Sequence, residues 1–195
     1  MLRVAIFVVL SSLSCFSLVA CDRGDAMQSP AGHAASFDLK FIDTMTAHHQ
    51  SALEMAKLAE SKASHPELRS TAADMQKAQK AEIDQMAGWR KEWSPGAAPA
   101  VDHQMKGMKE TMAGMDMGKL ASAEGDDFDH MFLDMMIKHH SGAVTMAEDA
   151  LANATRPEVK ELAQKVIADQ RREISQMQAW SKAWFGHAER AARGQ

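Results

Sequence analysis

Two pairs of adjacent histidines, His48-His49 and His139-His140, are the residues of this chain best placed to do chemistry. Met45 and Met136 stand three and four residues before the members of each pair, and Met55 and Met146 lie a further two turns along. Imidazole with thioether, and no thiolate, suits Cu(I) and, by softness, Ag(I) better than a hard cation. Glu82 and Glu173, on what follow as the facing helices, bring a carboxylate that also admits Cu(II) or Zn(II). The chain carries 16 Met and 9 His against no Tyr. Methionine also fills irregular cores, so its position has to decide its role.

The elements that must position these groups come from a duplication. Residues 37–93 align without a gap on residues 128–184 at a constant offset of 91, with 23 of 57 positions identical. Each copy reads as two helices, the first near 37–62 (128–153) and the second near 65–93 (156–184). Ser64-His65-Pro66-Glu67 and Thr155-Arg156-Pro157-Glu158 mark the break, since both fit an S/T-x-x-E capping box with proline in a first turn. At about 100° per residue, Phe41, Met45, His48, Ala52, Met55 and Ala59 form one stripe, with Ile42, His49 and Ala56 on its flank. Leu68, Ala72, Met75, Gln79, Glu82, Ile83, Met86 and Trp93 form the stripe of the second helix. A lone hairpin leaves such a stripe uncovered, so two antiparallel hairpins predict an all-α, ferritin-like four-helix bundle. One domain follows, because a single hairpin buries too little to stand alone. The same alternation puts Asp43 and Asp134 on the opposite face, away from the candidate ligands. Trp89, Trp93, Trp180 and Trp184 are expected to close the bundle ends, and His33, His65 and His187 to be isolated and exposed.

Residues 94–127 connect the copies, with Pro95, Pro99 and five glycines. His103, Met105, Met108, Met112, Met115 and Met117 fall within this connection and form a secondary candidate metal site. Spacings of three and four place Met105, Met108, Met112 and Met115 along one side of a short helix, against which Gly107 and Gly114 count. The alternative is a linker whose methionines pack onto the bundle.

The N-terminal segment addresses the compartment. Arg3, the apolar run from Val4 and small residues up to Leu18-Val19-Ala20-Cys21 read as a secretory signal over 1–20. Interrupting serines make it a poor spanning helix. Leu-Val-Ala-Cys resembles the bacterial lipobox, which implies lipidation of Cys21 and a membrane anchor. Residues 21–36 then form a tether and 185–195 a tail. Asp22 favours retention at the inner membrane under enteric-type sorting. Cys15 would leave with the signal, so no thiolate remains for a disulfide, a nucleophile or a metal site. The net charge of −4 gives no footprint for nucleic acid.

Competing chemistries lose support on their motifs. A di-iron bundle needs Glu-x-x-His on two core helices, and covalent haem needs C-x-x-C-H; neither occurs. No phosphate loop or nucleophile arrangement stands out, and the chain is not expected to be an enzyme. The rival is a structural or interaction module of the envelope, in which the histidines and Glu82/Glu173 only bond one another in the core.

The paired Met-x-x-His-His-x5-Met segments, each followed by Gln-x-x-Glu-Ile-x-Gln-Met-x-x-Trp, resemble the family catalogued as domain of unknown function 305. The resemblance covers both repeats. It implies a ferritin-like bundle and, through CopM-type members that are periplasmic copper-binding proteins, a role in copper resistance. Carried over by residue, it implies ligands among Met45, His48, His49, Met55, Glu82 and Met86, and among Met136, His139, His140, Met146, Glu173 and Met177. One or both histidines of each pair fit, in one shared site or two. The reading is a periplasm-facing lipoprotein that sequesters Cu(I) or hands it to a partner protein.

Overall fold

The computed structural model describes residues 31–186 apart from Gly114, with side chains from Phe37 onward. The expected signal, Cys15, Cys21, Asp22, the tether as far as Pro30, and His187 lie outside the described residues, as does the side chain of His33. Six helices follow in order: α1 (Ala31–Lys62), α2 (Pro66–Trp93), α3 (Met108–Met112), α4 (Met117–Ser122), α5 (Gly125–Asn153) and α6 (Pro157–Trp184). The protein is an all-α four-helix bundle of two duplicated hairpins, α1–α2 and α5–α6, with α3 and α4 in the connection. Helix α1 begins six residues before the start its periodicity predicts, through the Ala-rich run after Pro30, which favours helix on propensity.

The apolar stripes do what their period requires. From Phe41 to Ala59 every residue of the α1 stripe and its flank is buried, and α2 buries Leu68, Ala72, Met75, Gln79, Glu82, Ile83 and Met86. Ala52, Ala56, Ala59 and Ala63, and their equivalents Ala143, Ala147, Ala150 and Ala154, are all buried. Small side chains there let the two central helices, α1 and α5, come close.

These two run antiparallel, and their ends are tied by a reciprocal pair of carboxylates. Asp38, in the first turns of α1, accepts from the Thr155 and Arg156 backbone N–H groups and the Thr155 hydroxyl at the start of α6. Its equivalent Asp129, on α5, accepts from the Ser64 and His65 N–H groups and from His65 Nδ1 at the start of α2. The predicted capping boxes do not form: neither His65 nor Arg156, the N-cap residues, makes a side-chain cap bond. An acid from the other repeat does that work, satisfying the orphan N–H groups of a helix start. Both acids are fully buried. His65 is not isolated either, since its ring also stacks on Trp184 at 3.8 Å, while its equivalent Arg156 lies over Trp93 at 3.9 Å. Trp89 stacks on Trp93 and Trp180 on Trp184 against the two core clusters.

Those clusters divide the bundle lengthwise. One half gathers Phe41, Ile42 and Met45 with the far end of α5 from Ala143 onward; the other gathers α1 from Ala52 onward with Phe128 to Met136. The short stretches of α1 and α5 between them hold the four histidines.

Candidate metal centre

A two-layer core of this kind normally has apolar residues at its middle. Here His48, His49, His139 and His140 are each fully buried. The antiparallel pairing of α1 and α5 brings the two repeats together, with the His48 and His139 rings 3.8 Å apart between centroids and tilted by 39°. His49 and His140 lie outward of them, about 6 Å from their chain neighbours.

Every ring spends one nitrogen on the protein. His49 Nε2 lies 2.8 Å from Glu82 Oε2, and His140 Nε2 lies 2.7 Å from Glu173 Oε2. A carboxylate only accepts, so each Nε2 carries the proton. The inner rings use hydroxyls. His139 Nε2 lies 2.8 Å from Ser51 Oγ, whose own hydrogen goes to the His48 carbonyl. His48 Nε2 lies 3.3 Å from Thr111 Oγ1, whose hydrogen goes to the Gly107 carbonyl. With those hydrogens committed, the hydroxyl oxygens accept, and the rings donate from Nε2.

The other nitrogen has nothing. Nδ1 of all four histidines is buried without a hydrogen-bond partner among the described residues. Buried polar atoms are rarely left so, because each forfeits its bond to water. Burial, with the neighbouring His49 and His140 charges, holds His48 well below the ordinary histidine range of 6.5, and burial with the surrounding imidazoles does the same to His139. The neutral His48 and His139 rings, with Nε2 protonated, expose an Nδ1 lone pair, the form in which imidazole binds a metal. An imidazole whose other N–H is held by a carboxylate is the arrangement that orients metal ligands and raises their basicity.

Charge around Glu82 is balanced. Burial alone would raise its pKa, but the His49 hydrogen bond and the charges of His49 and Lys165 outweigh this, and its carboxyl falls below the usual 4.5. Lys165 reaches Glu82 Oε1 across the bundle at 2.7 Å. At the position equivalent to Lys165 the first repeat has Asp74, and Glu173 is correspondingly more exposed than Glu82, 19% against 7%.

The predicted thioethers flank this layer on both sides. Met45, Met86 and Met146 lie in one cluster and Met136, Met177 and Met55 in the other, so each cluster takes methionines from both repeats. The donor set of imidazole, thioether and carboxylate fits a soft metal ion, and the bare Nδ1 atoms would give such an ion its anchor.

The connection does not build a centre of its own. Met105 and Met108 are buried in the first cluster, Met115 and Met117 are half-buried against the second, and Met112 (49% exposed) and His103 face outward. The expected one-sided helix from Met105 to Met115 shortens to Met108–Met112, which Gly107 opens at a positive φ of 93°. Asp134 is exposed as its phase requires, but Asp43 is buried, because the connection covers it: it accepts from Arg90 Nε and the Ala100 N–H.

A family model described as domain of unknown function (DUF305) matches residues 38–181. The chain belongs to the DUF305 family. No protein among the curated sequences matches it. Among solved structures it is similar to CopM in the Cu(I)-bound form, at 36% identity over 76% of this chain and 97% of that one, TM-score 0.65. CopM in the Ag-bound form matches to the same extent, at 36% identity, 76% and 97% coverage and TM-score 0.65. A putative secreted DUF305 protein from Streptomyces coelicolor matches at 30% identity over 74% of this chain and 91% of its own, TM-score 0.65. The paired histidines, with Glu82 and Glu173 bonded to His49 and His140, converge at the middle of the bundle as their spacing predicts. Those that sequence reading misses are Ser51, Thr111 and Lys165, which hold the site from the second row; only Ser51, at a stripe-flanking position beside the histidines, gave a local signal.

Proposed function

We propose that this DUF305 protein binds soft metal ions in its histidine layer, Cu(I) foremost and Ag(I) by the same chemistry, to sequester copper or pass it on. The observation that carries this reading is the set of four buried Nδ1 atoms without partners. A purely structural role explains the Nε2 contacts to Glu82, Glu173, Ser51 and Thr111, but it leaves one nitrogen of every ring wasted. Thioethers from Met45, Met55, Met86, Met136, Met146 and Met177 supply the soft donors, and Glu82 and Glu173 orient His49 and His140. The Cu(I)- and Ag-bound forms of CopM, 36% identical, support the choice of ion. No step of bond making on a substrate is needed, so the protein acts as a carrier or store and not as an enzyme. The lipobox-like Leu18-Val19-Ala20-Cys21 supports a lipid-anchored, periplasm-facing location, from which copper passes to a partner protein. Anaerobic titration of the full-length chain with Cu(I) against a competing chelator tests the reading. Uptake is expected, and is expected to be lost when His48, His49, His139 and His140 are all changed to Gln. Equal uptake by the wild type and this variant would sink it.

A further inference from the structure

The two halves of the bundle are related by the duplication, yet they are not completed in the same way. Three buried methionines recur on each side, Met45, Met86 and Met146 in the first half and Met136, Met177 and Met55 in the second. The second half adds two more from its own long helices, Met75 and Met135. Their equivalents at the offset of 91 are Val166 and Thr44, which have no sulfur. In the first half the two missing thioethers come instead from the connection, as Met105 and Met108.

The same replacement happens to the hydroxyl. Ser51, on α1, supports His139; the equivalent position on α5 is Gly142. A Cβ at Gly142 would lie 1.8 Å from Thr111 Oγ1 and 2.6 Å from the Gly107 carbonyl. The absent side chain is therefore the room that Thr111 fills to reach His48. Gly107 is fixed reciprocally, since a Cβ there would meet the Gly142 carbonyl at 2.3 Å. Thr44 is itself a docking point, accepting from the Asp102 N–H at 2.9 Å. Where the first half departs from the second in sequence, the connection sits.

We propose that the bundle holds two inequivalent soft-metal sites, and that residues 105–111 are a strap whose Met105, Met108 and Thr111 complete only the first. This deepens the soft-metal reading and rests on it. The second site takes its fully buried thioethers from long helices alone, while Met115 and Met117 of the connection only half-bury against it. In the first, two thioethers and the support of one imidazole ride on a segment that contains one helix of five residues. That segment can leave without unfolding the bundle, so the first site is the one that exchanges its ion, with soft monovalent cations as its class of ligand.

The test is competition titration of the full-length protein with Ag(I), beside the variant Met105→Leu/Met108→Leu, which conserves volume. Two uptake steps are expected in the wild type, with one of them weakened tenfold or more in the variant and the other unmoved. A second measurement, amide hydrogen exchange in the wild type, is expected to show residues 105–111 slowing when silver is added. Two steps that weaken together, a variant indistinguishable from wild type, or strap exchange indifferent to silver would overturn the inference while leaving the metal reading in place. No silver uptake at all would overturn both.

Discussion

The inner and outer histidines of each pair share burial, chain position and a bare Nδ1, and differ in what holds their other nitrogen. His49 and His140 donate to carboxylates; His48 and His139 donate to hydroxyls that have already spent their hydrogens on carbonyls. A carboxylate both fixes the ring and pushes electron density onto Nδ1, whereas a hydroxyl mainly fixes it. The outer rings are thus the stronger donors. The inner two, 3.8 Å apart and held neutral, are the softer bridge between the repeats.

The most damaging way to break this contrast is to neutralise the carboxylates. Glu82→Gln with Glu173→Gln keeps an acceptor oxygen but removes the charge. Metal affinity is expected to fall about 10–100-fold for each replacement, whereas Ser51→Ala costs less; chelator competition on the three proteins measures the difference. Equal losses would erase the distinction.

Acid should separate the rings next. His48 and His139 are held below 6.5 in the fold, so as pH falls below 6.5 the unfolded chain takes up protons that the native protein refuses. Stability then declines by about 1.4 kcal/mol per pH unit for each ring, until their folded pKa values are reached. Glu82 adds a second loss, because its carboxyl is depressed in the fold and its stabilisation disappears as pH falls below 4.5. Thermal melts of the metal-free protein should fall from pH 6.5 downward, and His48→Gln/His139→Gln should flatten the upper part of that slope. An unchanged slope would contradict the buried neutral state.

The smallest effect belongs to Lys165→Gln. Its side chain is 54% exposed, so its ion pair with Glu82 is screened and is worth under about 1 kcal/mol. Urea midpoints should barely move, and a large shift would mean that Glu82 depends on Lys165 more than on His49.

Much of this was legible because it is periodic or duplicated. The stripe from Phe41 to Ala59 repeats at helical spacing, and a second copy 91 residues on confirms each position, so hairpins, bundle and histidine layer follow from residue order. Contacts set by the meeting of the two repeats were not legible. A local S/T-x-x-E pattern suggested that Ser64 and Thr155 cap their own helices, but Asp129 and Asp38 arrive from the other repeat and take the N–H groups. His65 likewise gains Asp129 and Trp184 from across the bundle. Thr111 carries no helical phase that points at His48, and only the vacancy at Gly142 explains its place. The connection's methionines divide between the halves because its helices are too short to keep one face.

The most direct test of the central claim is ¹⁵N NMR of the imidazole nitrogens in the full-length protein as Ag(I) is added. The account predicts large shifts at Nδ1 of the buried histidines while Nε2 stays protonated and bonded to Glu82, Glu173, Ser51 and Thr111. Silver-induced shifts at Nε2, or none in these four rings, would contradict it.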